Sequence, residues 1–304
     1  SKSNFIASMS HEIRNPLAAV LGSLQLLSFT PLSELQMEYC EDAIDHSKLL
    51  LEIINSVLDM SKIESDTLEL INQPMSIVEI VQNTAEVSGA EAENKGLEFY
   101  TFISPALNGV QVLADRARTS QILSNFVNNA LKFTESGYIY LSATLLDNTP
   151  DYVTIRFTCE DTGIGIKSTD ISRVFEPFVQ LRYDLDDVEV RSDPNEDSGA
   201  IVDVKHINEQ VYYKNKGMGL GLAISKRLAT LMGGDITVES QYKVGSQFSV
   251  VLKFQKINIQ SNSEQCATTT QSKYNVAIVV HNGKDKVAHI LQSYLDYMQV
   301  RDSF

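Results

Sequence analysis

The chain predicts a multidomain molecule: an all-α helical hairpin forming a dimeric four-helix bundle, then an α+β two-layer sandwich, with a partial α/β segment at the end. Three observations carry this. Apolar residues recur at alternating steps of three and four through the first 65 residues, the mark of long helices with one narrow seam each. From there to residue 256, short strand-like runs and grouped amphipathic helices take over, a pattern that builds helices over a largely antiparallel sheet. A length of 304 residues at 43% hydrophobic content supplies more than one core.

The first helix, expected over residues 4–28, has Ile13, Leu17, Val20, Leu24 and Leu27 as its seam. His11 points away from that seam, Asn15 lies one turn further along the same outward face, and Glu12 sits on the flank. Pro16 has no N–H, so the carbonyl of Glu12 loses its helical partner and a bend just beyond the histidine is expected. Taken alone, such a histidine is an ordinary surface residue of a bundle helix. Pro31, with Ser33 as N-cap, marks the turn. The second helix then runs to about residue 63 along Met37, Cys40, Ile44, Ser47, Leu51, Ile54, Leu58 and Ser61. One hairpin encloses no core, so two hairpins pairing as a homodimer follow from the pattern. The competing arrangement packs the hairpin on the chain's own second domain.

In the second unit, residues 66–256, strands are expected at 68–71, 97–103, 110–114, 138–146, 152–160, 235–240 and 247–254. A helix opened by a Ser76/Glu79 capping box runs to about residue 95, and others cover 116–133 and 220–232. The 116–133 helix is apolar except for a stripe of Gln121, Asn125, Asn129 and Lys132. Asparagine is a poor helix former, so two at i and i+4 call for a reason beyond packing. Amide oxygens can hold Mg2+ and a lysine ammonium can meet phosphates, whereas the plain alternative is a solvated helix face. Val153, Ile155, Phe157, Cys159 and Asp161 share one face of a strand by the period of two, which turns the Asp161 carboxylate inward, where it needs donors. An adenine amino group would supply one, and Gly163 and Gly165 allow close backbone approach. Gly217, Gly219 and Gly221 precede a helix whose N-terminus favours phosphate. Neither a Walker loop nor a parallel βαβ unit is present to indicate those nucleotide folds.

A net charge of -14 argues against nucleic acid and against lying on an anionic membrane. Cys40, Cys159 and Cys266 have no metal-like spacing, and their odd number fits a reducing compartment. No apolar run approaches a membrane span. The expectation is therefore a cytoplasmic location with no membrane contact within this stretch, although an anchor could lie outside it.

The string HEIRNPL around His11 resembles the H box of sensor histidine kinases, and LLEIINSVLDMSKIES the end of their dimerisation helix. NFVNNALKF resembles the asparagine box of their ATPase domain, DTGIGI its first glycine box, RVFEPFVQ its phenylalanine box, GMGLGLAI its second glycine box and GGDITVESQYKVGSQF its closing strand motif. The resemblance implies ATP and Mg2+ as cofactors. It makes His11 the phosphoacceptor assisted by Glu12, Asn129 the metal ligand, Asn125 its polar neighbour, Lys132 the phosphate contact and Asp161 the adenine reader. Gly163, Gly165, Gly217, Gly219 and Gly221 become the nucleotide-binding glycines, with Met218 and Lys216 departing from the commoner residues. The implied partner is a receiver domain, in cis or on a separate response regulator, and Asn15 is associated with dephosphorylating it. Two other functions compete: another ATPase of the same fold, such as a topoisomerase, chaperone or mismatch-repair ATPase, which the H box argues against, and a nucleotide-binding pseudokinase scaffold, which the intact His11, Glu12, Asn129 and Asp161 argue against.

The domain limits expected are 1–65 for the dimerisation and phosphotransfer hairpin and 66–256 for the ATP-binding domain. Within the latter, residues 181–216 form a long lid insertion with nine acidic residues between Asp184 and Glu209 against Arg191 and Lys205, a composition that favours disorder. A polar linker at 257–273 leads to 274–304, which resembles the opening of a hybrid-type kinase's receiver domain. There His281 and Asn282 replace the usual acidic pair, so the segment reads as truncated or degenerate.

Overall fold

A computed structural model describes residues 2–65, 67–180 and 219–257, with side chains from Glu12 onward. Gly217, the 181–216 insertion and the receiver-like 274–304 segment lie outside the described residues.

Helix α1, Lys2–Ser28, continues through Pro16. Helix α2, Glu34–Glu64, is opened by Ser33 in a full capping box with Gln36: the hydroxyl accepts the Gln36 N–H, and the glutamine carbonyl takes the Ser33 N–H at 3.0 Å. Two orphan donors of the helix start are thereby satisfied. The expected α2 seam faces α1. Its Cys40, Ser47 and Leu58 are buried, Cys40 Sγ donates to Leu24 O at 3.3 Å, and Arg14 Nη2 reaches Asn55 Oδ1 at 2.7 Å. On α1, Leu17 and Leu24 are half-covered while Ile13, Val20 and Leu27 stay exposed.

The second unit is a mixed seven-stranded sheet. Its strands are β1 Gln73–Ser76, β2 Glu98–Ile103, β3 Gln111–Ala114, β4 Tyr138–Asn148, β5 Tyr152–Asp161, β6 Asp235–Gln241 and β7 Gly245–Lys256. The helices are α3 Ile77–Asn94, α4 Arg116–Phe133 and α5 Gly221–Leu231. The order is β1-β3-β7-β5-β4-β2, and β6 lies beside β7. Only the β2–β4 pairing is parallel. Alternation holds as expected on β5, where Val153, Ile155, Phe157, Cys159 and Asp161 are all buried. Their face meets the apolar row of α4, including Phe126 and Val127, and α3, with Ile80 and Val81 buried, packs beside α4 over β2 and β4.

The strand expected at 68–71 is a correction. The Ile71 N–H donates to Asp115 Oδ2 at 2.9 Å, and the Ile71 side chain is exposed. The same Asp115 caps α4 through the Arg118 N–H at 3.0 Å. A helix cap thus takes the donor a strand would need, and pairing begins only at Gln73 opposite Ala114. Only the Ser76 half of the expected capping box on α3 forms, its hydroxyl accepting the Glu79 N–H at 3.4 Å.

Candidate nucleotide site and phosphoacceptor helix

Helix α4 spans the expected limits, and its polar stripe divides into two halves with different fates. Gln121 Oε1 accepts from Arg118 Nη1 at 2.8 Å. The Asn125 amide donates to the Ser225 hydroxyl of α5 at 2.9 Å, and Ser225 is fully buried. Asn125 is therefore a bracket between two helices. Asn129 and Lys132, half-buried, make no side-chain hydrogen bond and no ion pair among the described residues. The Lys132 ammonium lies 4.8 Å from the Phe133 ring centroid, and burial lowers its pKa.

Asp161 ends β5 with 8% exposure. Its Oδ1 accepts the Gly163 N–H at 2.9 Å, and the Ser246 N–H also donates to its carboxylate. Burial raises its pKa to about 6, against the lowering effect of those two donors, and the neighbouring Glu160 adds to the rise. The loop after Asp161 folds onto the end of α4. A Cβ on Gly163 would overlap the Phe133 carbonyl oxygen, and the Ile164 N–H donates to that same oxygen at 3.2 Å. Gly165, at φ +64°, lies where a Cβ would overlap the Gln241 carbonyl. Contact this close demands glycine at both positions. The inward carboxylate is thereby tied to the helix that carries Asn129 and Lys132.

Sequence reasoning gave no role to Ser225 or Ser246. Ser246 faces Asp161 through the β5–β7 register, which no local pattern reveals. Gly219, at φ +68°, precedes α5, and Gly221 is its first residue.

The phosphoacceptor candidate is carried by α1. His11 lies in the helix backbone, and Glu12 and Asn15 are exposed. No group of three or more His, Cys, Asp or Glu side chains among the described residues could hold a metal. No helix of the described residues is long and apolar enough to cross a membrane.

Two family models match. Residues 1–66 match the His Kinase A (phospho-acceptor) domain, and residues 114–256 match the histidine kinase-, DNA gyrase B- and HSP90-like ATPase. The chain belongs to the sensor histidine kinases, as their catalytic core. This kinase core is 36% identical over 248 residues to hybrid signal transduction histidine kinase B of Dictyostelium discoideum, covering 82% of this chain and 11% of that protein. It is 35% identical over 285 residues to the sensor protein GacS of Pseudomonas syringae pv. syringae, covering 92% of this chain and 28% of that protein. With the sensor histidine kinase RcsC of Escherichia coli (strain K12) it shares 35% identity over 254 residues, 82% of this chain and 23% of that one. The chain thus spans less than a third of the length of these relatives. Among solved structures, full-length ShkA in complex with AMPPNP superposes with a TM-score of 0.62 at 31% identity, over 84% of this chain and 46% of that one.

Proposed function

We propose that this core binds ATP with Mg2+ on the 66–256 domain, transfers the γ-phosphoryl group to His11 and passes it to a receiver aspartate. What carries the reading is the pair Asn129 and Lys132, one turn apart on α4 and without side-chain hydrogen bonds or ion pairs among the described residues, on the helix to which the buried Asp161 loop is tied. ShkA's complex with an ATP analogue supports it.

In this reading Asp161 accepts an N–H of the adenine amino group. Lys132 meets the phosphates, which restore to its ammonium an interaction that burial has removed. Asn129 offers the amide oxygen that fits Mg2+, an ion that keeps water and phosphate oxygens as its other ligands. When bound, the ion neutralises charge on the phosphates. At His11, Glu12 accepts the N–H of one ring nitrogen and leaves the lone pair of the other free for in-line attack. A P–N bond forms as the bond to the β,γ-bridging oxygen breaks, and ADP leaves with the electron pair. Asn15, one turn away, aims a water at the phosphorylated receiver in a separate hydrolysis, in which the water oxygen bonds to phosphorus, the aspartate leaves and inorganic phosphate is released. The protein acts as a homodimer in the cytoplasm, where its free Cys40 and Cys159 stay reduced.

Labelled ATP tests the assignment. The unmodified chain should acquire acid-labile phosphate, and His11→Gln should lose it while keeping its nucleotide affinity; residual acid-labile label in that variant would refute His11. With phosphorylated receiver in excess and no ATP, Asn15→Ala should slow loss of phosphate severalfold, and unchanged rates would leave Asn15 a structural role only.

A further inference from the structure

Thr162 stands between the adenine-reading carboxylate and Gly163, and its hydroxyl is the centre of a knot. The Tyr138 N–H donates to Thr162 Oγ1 at 2.9 Å, and the hydroxyl proton is shared between the carbonyl oxygens of Ser136 at 3.2 Å and Tyr138 at 3.3 Å. The Thr162 backbone N–H also reaches Tyr138 O, at 3.2 Å. Gly137 passes so close, at φ +103°, that a Cβ on it would overlap that hydroxyl. The segment leaving α4 and the segment leaving β5 are therefore joined at one oxygen.

We infer that Thr162 is a positioning residue for base selection. Its hydroxyl sets the placement of the Asp161 carboxylate relative to the Asn129 and Lys132 face of α4, so that the base and the phosphates of one nucleotide are gripped together. The inference rests on the reading of Asp161 as acceptor for the adenine amino group. It follows from how that carboxylate is held: by the backbone N–H groups of Gly163 and Ser246, so its direction follows the backbone on either side of Thr162. A valine fills the same shape but neither accepts the Tyr138 N–H nor donates to a carbonyl. The backbone would then settle elsewhere by a fraction of an ångström, enough to spoil a hydrogen bond to a base edge.

The test uses the full chain with Mg2+ and two nucleotides, ATP and purine riboside 5′-triphosphate, which lacks the 6-amino group; calorimetry gives both dissociation constants. The unmodified protein should prefer ATP by about tenfold or more. Thr162→Val should bring that preference to within about twofold, and Thr162→Ser, which keeps the hydroxyl, should restore it. Should the valine variant not fold, Thr162→Cys, similar in size and weak in hydrogen bonding, is read by the same criterion. Equal affinities in the unmodified protein sink the Asp161 reading and this inference with it. A preference that survives Thr162→Val, with both nucleotides weakened alike, or a serine variant that fails to restore it, overturns the inference alone.

Discussion

Burial works against the role proposed for Asp161. The carboxylate that would accept an adenine amino group is destabilised by the site that holds it, and its pKa rises to about 6. A carboxyl group raised in this way contributes stability that is fully present below its unfolded pKa of 3.8 and is lost as pH rises through about 6. Nucleotide binding needs the opposite form. ATP affinity should therefore fall below pH 6 by up to about tenfold per pH unit, measurable by calorimetry across pH 5–8. Asp161→Asn should abolish ATP binding yet stabilise the apo protein by up to about 3 kcal/mol above pH 7, with no gain near pH 4; an equal change at both pH values would show that charge burial is not the cause. The α4 stripe permits a second separation of binding from folding. Asn129→Asp should remove ATP binding with little change in melting temperature. Ser225→Ala leaves the half-buried Asn125 amide without that acceptor and should cost about 1 kcal/mol of stability, read by denaturant melts. A large loss of stability in the Asn129 variant would assign it a structural role instead.

At the scale of elements, α4 couples the core to the site. Asp115 caps its start and also fixes the chain entering β1, while Phe133 at its end supports the loop after β5. On either side of the insertion expected from the sequence, described residues meet: the Phe178 N–H donates to Gly219 O at 3.0 Å, and a Cβ on Gly219 would come against the Val179 backbone. Where two flanking ends are already in contact, lengthening the excursion between them adds little closure entropy. Deleting residues 184–209 should leave autophosphorylation within about twofold. Complete loss would assign the acidic insertion a part in the reaction.

At the scale of the molecule, the hairpin does not cover its own apolar surface. Leu26, Phe29, Leu35 and Tyr39 are exposed by 71%, 87%, 57% and 64%, a concentration at one end of the hairpin that calls for a partner surface. In the homodimer proposed above, a second copy would cover it and complete a four-helix core. Both the full chain and residues 1–64 should sediment as dimers. Leu51→Glu, on the α2 seam, should weaken the dimer by bringing an unpaired charge into its core. A stable monomer for either unmodified protein would refute the bundle.

The sequence by itself determined those features whose cause is local. The limits of α4 follow from Asp115 as cap and the apolar period behind it, the inward turn of Asp161 from alternation along one strand, and the α2 start from Ser33, because propensity and periodicity act over a few residues. Tertiary structure decided the pairings across distance. Ile71 loses its expected strand to a carboxylate 44 residues away, Asn125 is claimed by a serine 100 residues away, and Ser246 meets Asp161 only through the β5–β7 register. Asn125 and Asn129 look alike in the sequence, four residues apart on one stripe, and only packing shows that one is held by Ser225 while the other makes no side-chain hydrogen bond among the described residues. A side chain's available hydrogen bonds depend on which neighbours folding brings to it, and that is a property of the whole chain.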